Sequence, residues 1–178
     1  MMRSVTLEAG RVRARFQRTA DRFEHAIEVQ SADGRWISIA KSAEGDAYYL
    51  WPASPPFQEL HVEQRGEMQV ALLVGNAGKS HWSGSIEAHV SDEKLVFDVA
   101  CRAREAPQWL GSTYQMVESN QLSGGFRPRF EAAAEATAVQ TDGSRVRVAP
   151  IDMADAVKGN PASHAWPKTI RWQYWFAI

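Results

Sequence analysis

Apolar and polar residues alternate along most of this chain, and a period of two marks strands with one buried face. Residues 11–18 alternate in this way. In residues 23–30, Phe23, His25, Ile27 and Val29 share a face. Ala32-Asp33-Gly34-Arg35 predicts a tight turn, because Asp-Gly supplies the positive φ angles of a short hairpin, and residues 36–40 pair back. Residues 57–64 place Phe57, Glu59, His61 and Glu63 opposite Gln58, Leu60 and Val62. After the turn Arg65-Gly66-Glu67, residues 68–74 are more uniformly apolar, as in a strand covered on both faces, and Gly75-Asn76-Ala77-Gly78 punctuates them. Residues 82–90 and 94–102 form a hairpin around Ser91-Asp92-Glu93. Residues 109–117, 145–148 and the aromatic run 169–176 complete the set.

Three stretches break the alternation. Residues 41–56 read as a loop, since Pro52, Pro55 and Pro56 would each remove a ladder donor. Residues 130–138 are alanine-rich, with Glu131 and Glu135 one helical turn apart, and local propensity favours helix. Residues 151–158 read as a short helix stopped by Gly159. At least nine strand candidates joined by short turns predict an all-β fold, an antiparallel β-sandwich of ordinary or supersandwich-like size with one or two short helices. The length of 178 residues suits a single domain over 1–178.

Composition adds aromatic weight. Seven tryptophans and four tyrosines fall largely on predicted strands, where ring side chains fit a pleated, half-buried surface. The formal net charge of −1 argues against nucleic acid as a partner. Arg11, Arg13 and Arg15 share one strand face, either as a solvated outer face or as an anion or partner patch. The single cysteine, Cys101, alternates with Leu95, Phe97 and Val99 and reads as a buried core thiol. No run is long enough to cross a bilayer, and residues 1–6 lack the apolar core of a signal peptide, so the expected location is the cytoplasm and no membrane partner is expected. Oligomeric state is not legible.

Four groups carry candidate chemistry. Glu59, His61 and Glu63 fall on one face, and an imidazole between carboxylates can act as acid or base. The same triplet has the donor types of a divalent-metal site, although no metal or cofactor is expected for the chain. The alternative is a hydrated strand face. His81-Trp82-Ser83-Gly84-Ser85 could place an indole beside polar groups, as a sugar platform does, or could bury Trp82 at a hairpin mouth. Tyr48, Tyr49 and Trp51 lie in the proline-containing loop, either as a ligand-facing cluster or as a staple for the loop. Trp109, Ser112, Tyr114, Arg127 and Arg129 form the fourth group, with Arg127 suited to an anionic substituent or to a plain charged surface. Nucleophile-elbow, Walker, dinucleotide and paired-cysteine zinc signatures do not occur.

The hairpin segment 82–90 and 95–100, followed by 109–114, resembles part of the galactose-mutarotase-like β-sandwiches that accompany carbohydrate-active enzymes. About a third of the chain carries this resemblance, and it implies a carbohydrate context without assigning a reaction. The leading expectation is a carbohydrate-recognition or accessory domain. It would bind sugar through Tyr48, Tyr49, Trp51, Trp82, Trp109 and Tyr114, with His61, His81 and Arg127 as polar contacts. A sugar-processing enzyme using His61 with Glu59 or Glu63 is one alternative, and a structural or protein-interaction domain is another.

Overall fold

The computed structural model describes residues 4–117, 127–151 and 165–178. Among them thirteen strands and no helix occur. In chain order these are β1 (Val5–Ala9), β2 (Val12–Thr19), β3 (Arg22–Gln30), β4 (Trp36–Ser42), β5 (Phe57–Arg65), β6 (Met68–Ala77), β7 (Ser80–His89), β8 (Lys94–Ala103), β9 (Ser112–Met116), β10 (Arg129–Ala132), β11 (Thr137–Asp142), β12 (Arg145–Pro150) and β13 (Lys168–Ala177).

They form two antiparallel sheets. One has seven strands in the order β1-β2-β3-β4-β9-β12-β11, and the other has six in the order β10-β13-β8-β7-β6-β5. The inward residues of both meet in one apolar core, with Leu7, Phe16 and Ile27 from the first sheet and Leu95, Phe97, Trp172 and Phe176 from the second. Alternation accounts for this directly: along β8 each second residue from Leu95 to Ala103 is buried, and Cys101 lies among them as a core thiol. Its burial pushes the thiol pKa up to about 12, so it is neutral and unreactive at ordinary pH.

The hairpins follow their turn chemistry. Gly34 adopts a φ of 84° between β3 and β4, as the Asp-Gly pair predicts. The alanine-rich stretch 130–138 is a correction to the helical expectation. Phe130 pairs with Phe176 and Glu131 with Trp175, making β10, and a turn leads straight into β11. The gain is burial: Phe130 stacks on Tyr114 with centroids 4.5 Å apart, which a solvated helix would forfeit. The other expected helix, 151–158, lies outside the described residues apart from Ile151, which is in a turn. Strand β1 alternates Val5, Leu7 and Ala9 but is only five residues long, β11 carries few apolar residues, and pairing with β2 and β12 makes them strands.

The arginine triplet at and before the start of β2 is neutralised within the fold. Arg13 Nε and Arg15 Nε reach the two carboxylate oxygens of Glu28 at 2.7 and 2.8 Å, and Arg11 holds Glu93. Arg13 also lies 4.1 Å over the Trp36 ring, which helps bury Glu28 on the outer face of the sheet.

Gly75 is placed by close approach of backbone. A Cβ there would lie 1.9 Å from the Pro56 carbonyl oxygen, where the chain bends into β5. Gly75→Ala is expected to lower unfolding stability by about 2 kcal/mol or more, measured by urea denaturation. An unchanged midpoint and slope would contradict this packing.

Candidate functional site

Strand β9 organises the site through both of its faces. Its inward residues, Ser112 and Tyr114, enter a chain of buried polar groups between the sheets. Trp172 Nε1 donates to Ser112 Oγ at 3.0 Å, and Ser112 also bonds the Tyr174 hydroxyl. The Tyr174 and Tyr114 hydroxyls are 2.8 Å apart, and Tyr114 lies 2.9 Å from His25 Nε2. An indole N–H can only donate. A consistent donor order therefore runs from Trp172 through Ser112, Tyr174 and Tyr114 to a neutral imidazole. Phe16, Phe97 and Tyr114 surround His25, and desolvation lowers its pKa from 6.5 to about 4. Burial likewise raises both tyrosine pKa values, so the chain is uncharged at neutral pH.

The outward residue Thr113 anchors the loop between β4 and β5. Ala43 N donates to Thr113 O at 2.8 Å. Ser54 Oγ donates to the same carbonyl at 2.9 Å and accepts from Thr113 N at 3.0 Å. From the other side, Trp109 Nε1 donates to Ala53 O at 3.1 Å. The prolines are part of this arrangement, since Pro52, Pro55 and Pro56 are all buried and leave no amide unsatisfied.

Between the loop and the sheet lies an open cavity of about 480 Å³. Tyr49, Trp51 and Trp109 form its aromatic walls, Glu44 and Thr113 contribute polar surface, and Arg145 and Arg147 of β12 border it. Register puts the arginines there: Arg145 pairs with Gln115 and Arg147 with Thr113, while Val146 and Val148 turn into the core. Trp51 leans edge-on against the buried Trp82, centroids 6.0 Å apart, and is thereby tied to the core. The Trp109 N–H is already satisfied by Ala53, so its contribution to the cavity is the apolar ring.

Glu44 has an unusual environment. Ser42 Oγ donates to its Oε1 at 2.6 Å, and Oε2 is buried without a partner among the described residues. Desolvation raises its pKa from 4.5 to about 7, outweighing the Ser42 hydrogen bond and the Arg22 charge, which both lower it.

The residues singled out from sequence separate into three groups. Tyr49, Trp51 and Trp109 converge on the cavity. Tyr48, 90% exposed, sits at the loop tip beside them and does not line it. Trp82 and Tyr114 are core residues at 3% and 0% exposure, so neither presents a surface to a ligand. His81 and Arg127 are exposed and lie outside the cavity. Glu59 and His61 are exposed on β5, an edge strand, and Glu63 there pairs with Arg65. Sequence reasoning missed Glu44, Arg145 and Arg147. Distance along the chain hid the two arginines, for which the β9–β12 pairing was the signal needed, and the burial that marks Glu44 is not written in its sequence neighbours.

Among the described residues, no cluster of three or more His, Cys, Asp or Glu side chains is arranged to hold a metal ion. They include no helix long and apolar enough to cross a membrane. Comparison with known proteins returns no matching family model, no matching curated protein and no matching solved structure.

Stability should carry the mark of the displaced pKa values of His25 and Glu44, with opposite signs. The unfolded chain protonates His25 first, so this residue takes stability away as pH falls from about 6.5 to about 4. The folded chain keeps the Glu44 proton to about 7, whereas the unfolded chain loses it near 4.5, so Glu44 takes stability away as pH rises through that window. Glu44→Gln should therefore gain stability relative to wild type as pH rises, by up to about 3 kcal/mol. Urea titrations of both proteins at about pH 4.5, 6 and 7.5 measure it. A pH-independent difference would contradict the burial of this carboxyl.

Proposed function

We propose that this protein recognises a carbohydrate, binding a small sugar in the cavity between the β4–β5 loop and strands β9 and β12. One observation carries the reading: three aromatic side chains from two separate loops, Tyr49 and Trp51 from one and Trp109 from the other, wall a single open cavity bordered by charged groups. Aromatic ring faces stack on the C–H faces of pyranoses, and surrounding polar groups take the hydroxyls. The volume falls in the range of small-ligand sites. The anchoring supports the same reading. Hydrogen bonds to Thr113 and Ala53 fix the loop and Trp109 before any ligand arrives, which reduces the ordering cost of binding.

Intrinsic tryptophan fluorescence titrated with mono- and oligosaccharides tests this reading. A saturable change is expected, because Trp51 and Trp109 line the cavity. Tyr49→Ala removes an exposed ring without disturbing the core and should weaken the affinity about tenfold. The far-ultraviolet dichroism should remain that of the wild type. No response to any sugar, or sugar binding that Tyr49→Ala and Trp109→Ala both leave unchanged, would overturn the assignment.

A further inference from the structure

The two arginines that border the cavity bear on the charge of its ligand, a step that rests on the sugar-binding reading of the same cavity. Many guanidinium groups of this fold are matched to carboxylates. Arg13 and Arg15 share Glu28, Arg11 holds Glu93, and Arg171, beside a shallow depression on the other sheet, holds Asp98. Arg18, Arg102, Arg104 and Arg127 form no such pair among the described residues, and Arg145 and Arg147 are set apart from these by their place in the fold. Both border the aromatic cavity, and neither has a carboxylate within ion-pair distance among the described residues. They stand two residues apart on one face of β12, which puts their side-chain bases about 7 Å apart. Two cations at that spacing repel each other and present ten N–H donors. A planar carboxylate is the complement of a guanidinium fork and would relieve both.

Glu44 does not serve this role, although it lines the same cavity. Its Oε1 is committed to Ser42, and it forms no ion pair with either arginine. The proton it keeps to about 7 also limits its repulsion of an incoming anion. Phosphate fits less well. A guanidinium fork matches phosphate as well as carboxylate, but many phosphate sites also draw on free backbone amides, and two amides at this cavity are spent: Ala43 N on Thr113 O, and Thr113 N on Ser54 Oγ.

We infer that the ligand is a hexuronate, its carboxylate gripped by Arg145 and Arg147 while its pyranose ring lies against Trp109 and Tyr49. The anionic group sets the selectivity and the rings supply the sugar platform.

Calorimetric titrations with glucuronate, galacturonate, glucose, galactose and a hexose phosphate, all at one ionic strength, test the inference. Each uronate should bind about tenfold or more tightly than its neutral hexose. The hexose phosphate should bind more weakly than the uronates. In the Arg145→Met/Arg147→Met double variant the preference for each uronate over its neutral hexose should disappear. Arg145→Met alone removes only an exposed side chain and should lose part of the preference, which keeps the test available if the double variant misfolds. Equal binding of uronate and hexose would overturn the acidic-sugar inference and leave the sugar reading standing. So would a preference that survives in the variants, or tighter binding of the phosphate. Absence of binding by every sugar would overturn the sugar reading itself, and the inference with it.

Discussion

Strand β9 bears on two arrangements at once, and the rest of the structure depends on the hydrogen bonds that leave it. Inward, Ser112 and Tyr114 continue a polar chain from Trp172 to His25 and so tie the two sheets together. Outward, Thr113 holds the β4–β5 loop through Ala43 and Ser54. Polar groups buried between sheets are costly when unpaired, and a satisfied set permits few alternative packings. The same strand therefore fixes the mutual position of the sheets and the wall of the cavity.

The aromatic residues divide by this logic. Trp172, Tyr114 and Tyr174 are buried and have polar partners for their N–H and O–H groups, so they combine apolar area with specificity. Trp36 and Trp175 lie on outer faces under cations, Arg13 over the first and Lys94 and Arg129 over the second. Trp51 and Trp109 have neither full burial nor a covering cation among the described residues, and they face the cavity together with Tyr49. The division separates rings that build the fold from rings available to a ligand.

Most strands were legible because alternation and turn chemistry agreed, as at the β3–β4 hairpin and in β13, where Trp172, Tyr174 and Phe176 all turn inward. Residues 130–138 were misread because an alanine-rich stretch is helical by local preference. Pairing of Phe130 with Phe176 overrides that preference through tertiary burial. Alternation also cannot say which face meets the core: Trp82 and Tyr114 resembled ligand aromatics for that reason. For the cavity, Tyr49, Trp51 and Trp109 were visible as residue types, whereas Arg145 and Arg147 join them only through the register of β12 on β9. Glu44 was invisible because its importance comes from burial, which its neighbours in sequence do not encode.

Native-state amide hydrogen exchange tests the role of β9 most directly. If this strand anchors the loop, the amides of Ala43 and Thr113, bonded to Thr113 O and Ser54 Oγ, should exchange as slowly as those of the central strands β7 and β8. Ser54→Ala should release Thr113 N–H selectively and leave β7 and β8 protected. Exchange of Ala43 and Thr113 in the wild type at rates typical of exposed loops would contradict the account.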